Sequence, residues 1–226
     1  MKKSFLLIIF FIVSNTMISQ QVKVTRDIGA WAGVSVEKKL FKDFEIRLDQ
    51  QLRLYTNATE LDDYFIDLGG KYKINKNFKL GANFRFTYDQ KRRKASERNY
   101  RYNFDINYRI AVVKKLAVSY RLRYQREYVN LLSEDQSTSG YSAAIRNRLK
   151  LKYELNKNHR IYVSGELFRR FESFRDPYFN KMRLFLGDEI RTEIGEFDVS
   201  LGYELETNAT YPLSFFFVRV IYSLGL

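Results

Sequence analysis

The chain has 226 residues, with 39 Lys and Arg against 26 Asp and Glu and a formal net charge of +13. It contains no cysteine, which excludes disulfides, thiolate metal sites, cysteine nucleophiles and a lipid anchor on a cysteine. Two prolines, and 17 Tyr with 19 Phe against a single Trp, describe a chain rich in strand formers.

At the N-terminus Lys2 and Lys3 precede the apolar run Phe5 to Val13, and Ser14, Asn15, Thr16 and Ser19 follow it. Charge, a short apolar stretch and then small residues predict a signal peptide over residues 1–19, cleaved after Ser19. The run falls short of the roughly 20 apolar residues that a membrane-spanning helix needs. Without Lys2 and Lys3 the chain keeps 37 basic against 26 acidic residues, a balance that favours anionic partners. Export argues against nucleic acid among them.

From Asp27 onward apolar and polar residues alternate with period two, in segments of about ten to twelve residues, which predicts strands. Phe44, Ile46, Leu48, Leu52 and Leu54 share one face, against Glu45, Arg47, Asp49, Gln51 and Arg53. Tyr64, Ile66, Leu68 and Tyr72 then oppose Asp67, Lys71 and Lys73. Phe78 to Tyr88, Tyr100 to Ile110 and Leu116 to Gln125 repeat the pattern, and further strands are expected at Ser142 to Leu155, Arg160 to Arg170, Asn180 to Arg191, Glu196 to Glu206 and Leu213 to Leu226. Tight turns are expected around Lys38 to Asp43, Asn75 to Asn77, Val113 to Lys115, Asn156 to His159 and Thr192 to Gly195. Longer links are expected at Thr56 to Asp62, Gln90 to Arg98, Glu127 to Gly140, Glu172 to Phe179 and Thr207 to Pro212. Short turns on one rim and longer loops on the other fit an outer-membrane barrel with its longer loops outside.

Alternation also fits a soluble periplasmic barrel that carries a lipid, with apolar residues inward. Two features favour the opposite arrangement. Tyr55, Tyr64, Tyr72, Tyr88, Tyr100, Tyr128 and Tyr153 fall near strand ends, where aromatic girdles meet headgroups. The last segment alternates through Val218, Val220, Tyr222 and Leu226. The expected fold is therefore all-β, one domain over residues 20–226, a single antiparallel transmembrane β-barrel of about 10–12 strands in the bacterial outer membrane. Eleven segments are countable, whereas single-chain bacterial barrels have even numbers with both termini on the inner side. Either Gln21 to Arg26 adds a twelfth strand or rises through the lumen, or two weak segments are not both in the wall.

Several stretches also resemble the outer-membrane barrels of the DUF2490 family, a domain of unknown function. They are the glycine-rich strand from Asp27 to Gly33 with Glu37 to Leu40, the run Tyr64 to Lys76, Ser119 to Gln125, Arg146 to Tyr153, and Ser164 to Phe168. The resemblance covers nearly the whole exported chain and implies a barrel, with no activity attached.

Little else points to chemistry. The single histidine, His159, falls in an expected inner turn with no serine beside it in sequence, so no catalytic constellation, metal site or cofactor is expected. Asp62 with Asp63 and Glu134 with Asp135 read as solvated loop carboxylates. The inward face is more telling, because Arg47, Arg53, Lys71, Lys79, Arg85, Arg101, Arg109, Arg121, Arg123, Arg146, Arg148, Lys150 and Lys152 should project into the lumen. Glu45, Asp49, Asp67, Asp89, Asp105, Glu154, Glu166 and Glu204 should share it. Such side chains either fill the barrel with ion pairs or leave a narrow channel preferring anions.

Lys91, Arg92, Arg93 and Lys94 form a second basic group, expected to contact lipopolysaccharide phosphates. The function expected is a non-enzymatic outer-membrane barrel, structural or a narrow pore. The alternatives are an outer-membrane enzyme acting on envelope lipids and a soluble lipid-binding barrel. Expected partners are outer-membrane lipid, lipopolysaccharide and the barrel-assembly machinery, with no nucleic acid.

Overall fold

The computed structural model describes residues 24–90, 96–129, 140–172 and 175–226. The signal-peptide region, the basic group Lys91 to Lys94, and Glu134 with Asp135 lie outside the described residues. Eleven strands close into one barrel: β1 Thr25–Phe41, β2 Phe44–Tyr55, β3 Glu60–Lys73, β4 Phe78–Asp89, β5 Glu97–Val113, β6 Leu116–Val129, β7 Gly140–Glu154, β8 His159–Glu172, β9 Arg175–Thr192, β10 Gly195–Glu206 and β11 Leu213–Gly225. Sequence neighbours pair antiparallel from β1 through to β11. Closure leaves no strand edge unpaired, so every ladder amide has a partner without help from solvent.

The seam departs from the sequence expectation. β1 pairs β11 in parallel, in register from Thr25↔Leu213 to Glu37↔Gly225. All eleven countable segments are wall strands, so none is missing and none is surplus. Thr25 and Arg26 belong to β1 itself and add no twelfth strand. An odd number of strands forces the first and last to run the same way. β1 therefore starts at the loop rim, where the Thr25 amide donates to the Pro212 carbonyl at 3.0 Å. The chain's last residue lies at the turn rim, where the Leu226 amide donates to the Glu37 carbonyl at 2.8 Å.

Loop asymmetry is smaller than the composition of the links predicts. The Thr56 to Asp62 link shrinks to residues 56–59, where Thr56, Asn57 and Ala58 all take left-handed φ values of 52°, 56° and 62°. Asp27 holds that turn, accepting from the Thr56 and Asn57 amides at 3.1 and 3.2 Å. The Glu172 to Phe179 link is mostly strand, since β9 begins at Arg175. Pro177 reads as a breaker in sequence, but it lies where the β8–β9 register shifts between Arg170 and Glu172, and an irregular ladder spares the missing N–H. Longer links persist at residues 90–96, 130–139 and 207–212.

Period two assigns the faces as read from the sequence. Leu48, Leu68, Phe84, Phe104, Leu149, Leu186, Leu201 and Phe216 are exposed on the outside of the wall. Asp67, Asn103, Arg123, Arg146 and Glu166 are buried inside it. Tyr55 corrects the expected girdle: it is 6% exposed and packs inside with Trp31 and Phe215. It follows Arg53 by two residues, so the same parity that turns Arg53 inward turns Tyr55 inward as well.

Candidate functional site

The lumen is organised by register. Arg53 lies opposite Asp63, Arg85 opposite Asp67, Arg101 opposite Glu127, Arg123 opposite Asp105 and Arg183 opposite Glu204, each on neighbouring strands. Cross-strand neighbours on one face are close enough to interact directly, and each of these couples forms an ion pair. Arg123 grips Asp105 through Nε and Nη2, both at 2.6 Å. Arg85 reaches Asp67 at 2.8 Å, and Asn83 Nδ2 donates to the other Asp67 oxygen at 3.0 Å. Glu166 accepts from Arg146 Nε and Nη2 at 3.1 and 2.9 Å and from Arg121 Nη2 at 2.6 Å. Such charge-assisted, forked bonds hold long side chains in one geometry.

Aromatic rings supply the second support. Trp31 stacks on Phe217 with ring centroids 3.7 Å apart, and Phe185 meets Trp31 edge-on at 6.4 Å. Arg53 lies 4.2 Å above Trp31, Arg85 3.6 Å above Phe65, Arg146 4.4 Å from Phe168 and Arg219 4.5 Å from Phe185. Each guanidinium is thus flanked by a carboxylate and a ring face, both attractive to a cation. Glycines on the inward face make room for these rings. A Cβ at Gly202 would lie 2.2 Å from the Phe217 ring, and one at Gly187 would lie 2.7 Å from Tyr162. Gly202→Val is therefore expected to destabilise the barrel by about 1–3 kcal/mol through overpacking. Gly225→Ala, with nothing within 4 Å of the new methyl, should be neutral. Unfolding midpoints in urea, followed by Trp31 emission, compare the two.

A cavity of about 860 Å³ remains between these groups, reaching from Val129, Gly140 and Tyr141 on the loop side to Glu189, Glu196 and Ser223 towards the turn side. Twelve Arg and Lys line it against ten Asp and Glu. A smaller vestibule of about 190 Å³ opens at the turn rim, lined by Lys39, Lys42, Lys71, Lys73 and Lys79 with Asp43 and Glu45. The thirteen basic residues expected in the lumen are distributed unevenly. Arg47, Arg53, Arg85, Arg101, Arg121, Arg123, Arg146 and Arg148 line the main cavity, and Lys71 and Lys79 line the vestibule. Lys150 and Lys152 both hold Glu189, each at 2.5 Å. Arg109 departs from the expectation: it sits near the turn-rim end of β5, is exposed, and lines neither space.

Arg170, Lys181, Arg183 and Arg219 line the cavity as well and escaped the sequence reading, although period two carried through β8, β9 and β11 marks them. The inward aromatics had no such signal, since large apolar residues were all expected outside. His159 has a partner the sequence does not reveal, because Asp188 on β9 accepts from its Nδ1 at 2.6 Å, at the turn rim. Asp63, half of one candidate acidic pair, is engaged by Arg53 at 3.0 Å. Among the described residues no cluster of three metal-ligating side chains occurs.

Residues 28–210 match the family described as Protein of unknown function (DUF2490). The chain belongs to that family. The match spans β1 to β10 and stops short of β11, so the family's shared region includes most of the charged lumen. No curated protein matches the chain.

Proposed function

We propose that this DUF2490 barrel resides in the bacterial outer membrane, where its lumen is a narrow, water-filled passage that favours anions and performs no chemistry of its own. The observation that carries the reading is the inversion of the two faces. A contiguous exposed apolar belt is costly in water and marks contact with a membrane or a partner. Here the belt encircles the wall, while the charged residues face inward.

Dimensions support the same reading. The shortest strands have 12 residues. At roughly 3.3 Å per residue and a tilt near 40°, such a strand rises about 30 Å, the thickness of a bilayer's hydrocarbon core. Tyr72 and Tyr153 lie near the turn rim and Tyr64, Tyr88, Tyr100 and Tyr128 near the loop rim, as two girdles at headgroup level would require. A lumen lined with ion pairs does not suit an apolar ligand, which favours the membrane barrel over a lipid carrier. The excess of basic lining residues and the lysine vestibule favour anion entry.

Partners in this reading are the surrounding lipid and lipopolysaccharide, with Lys91 to Lys94 contacting phosphates, and the assembly machinery during insertion. Cell fractionation and planar-bilayer recording test it together. The protein is expected in the outer-membrane fraction, with a mobility on gels that changes on heating. A salt gradient across the bilayer is expected to give a reversal potential on the anion side. Recovery in the soluble periplasmic fraction, or a cation-side potential, would contradict it.

A further inference from the structure

We propose that Arg148 and Arg121 form a binding site for one oxyanion, a carboxylate or phosphate group, midway along the lumen. The proposal rests on the anion-preferring lumen for the ligand's route in, and on local geometry alone for the site. Arg148 lies on β7 directly opposite Arg121 on β6 and directly opposite Glu166 on β8. Glu166 has both oxygens occupied already, by Arg121 and by the fork of Arg146. Asp105, the nearby carboxylate on β5, is gripped at both oxygens by Arg123.

Four guanidinium groups therefore share two carboxylates, and Arg148 is the one that forms no ion pair with a described residue. Like charges directly opposite on one face of a sheet repel, so a cross-strand pair of arginines is stable only with a neutralising partner. Two further observations point to a ligand as that partner. Arg121 Nε is buried with no hydrogen-bond acceptor. Both arginines line the cavity of about 860 Å³, which leaves room for a small anion against them. A guanidinium presents its N–H groups in a planar fork that matches the oxygens of a carboxylate or phosphate, and away from bulk water such contacts strengthen.

The test uses the full-length barrel folded in detergent, titrated calorimetrically with inorganic phosphate and, separately, with acetate at low chloride. The parent is expected to bind one anion per barrel, and the arm with the tighter binding assigns the group. Arg148→Gln is expected to weaken binding about tenfold or more, since a forked charge-assisted contact is lost. That variant should fold as well as the parent, because Arg148 holds no carboxylate. Arg148→Lys keeps the charge without the fork and should fall between the two. Arg109→Gln, at the exposed rim, should leave binding unchanged. Equal binding by the parent and Arg148→Gln, or no saturable binding of either anion, overturns the site. If anion binding is lost with Arg148 while bilayers show no conductance, the site stands and the passage falls. The opposite pair of results removes the site and leaves the passage.

Discussion

Glu166→Gln is expected to lower the stability of the folded barrel by about 3 kcal/mol, the lower end of the cost of stranding a buried ion's partners. Glu166 is 3% exposed and is the shared acceptor of Arg121 and Arg146. The amide keeps its shape but loses its charge and offers donors to groups that are themselves only donors. Arg121, Arg146 and Arg148 would then face one another without a carboxylate between them. Water in the adjoining cavity screens part of that repulsion, which is why the lower figure applies. Glu37, whose side chain is 40% exposed beside Arg47 and Lys71, is the control. Glu37→Gln should cost less than about 1 kcal/mol, as exposed pairs do. Adding Arg148→Gln to Glu166→Gln should restore part of the loss, because it removes one of the stranded charges, and the double-mutant cycle measures that coupling. A loss below about 1 kcal/mol for Glu166→Gln would mean that Glu166 does not hold the arginines as a unit.

The faces of β2 to β6 were legible because each strand there alternates without interruption, so parity alone turns Arg85 inward and Phe84 outward. Link lengths were less legible. Residues such as Thr56, Asn57 and Pro177 favour loops locally, but Asp27 ties the first two into a tight left-handed turn, and a register shift admits the third. These outcomes depend on residues that are distant in sequence, Asp27 for Thr56 and the β8 ladder for Pro177. Composition around the link itself carries no trace of either.

The site was legible as a list and not as an arrangement. Parity placed Arg121, Arg123, Arg146 and Arg148 on one side, but pairing needs the register between strands, which no single strand encodes. Only with Arg121 set opposite Arg148, and Glu166 within reach of Arg121 and Arg146, does one arginine become surplus. The aromatic supports were hidden for another reason. Apolar residues were assigned outward because the belt needs them there, yet Phe185 and Phe217 stand over the inward faces of strands whose glycines, Gly187 and Gly202, clear the space.

The parallel seam is the feature least visible in sequence, because eleven alternating segments fit an eleven-strand wall and an incomplete twelve-strand wall equally well. Paired cysteines separate the two. Ala30 and Val218 are register partners across β1 and β11, and the chain has no cysteine to compete. Neighbouring strands lie about 4.8 Å apart, inside the Cα separation of about 4.4–6.8 Å that a disulfide tolerates. Ala30→Cys with Val218→Cys is therefore expected to cross-link almost completely under mild oxidation. The bridge would close most of the chain into one loop and should stabilise the barrel by about 5 kcal/mol, a gain lost on reduction. Ala30→Cys with Leu224→Cys displaces one partner six residues along β11, about 20 Å, and should give no bridge. A twelfth strand between β1 and β11 would move Ala30 and Val218 to about 9.6 Å apart, beyond the reach of a disulfide, so absence of the first cross-link would reject the parallel closure. Trp31 stacked on Phe217 inside the same seam keeps its strands in register, and Trp31→Ala should accordingly lower the cross-linking yield.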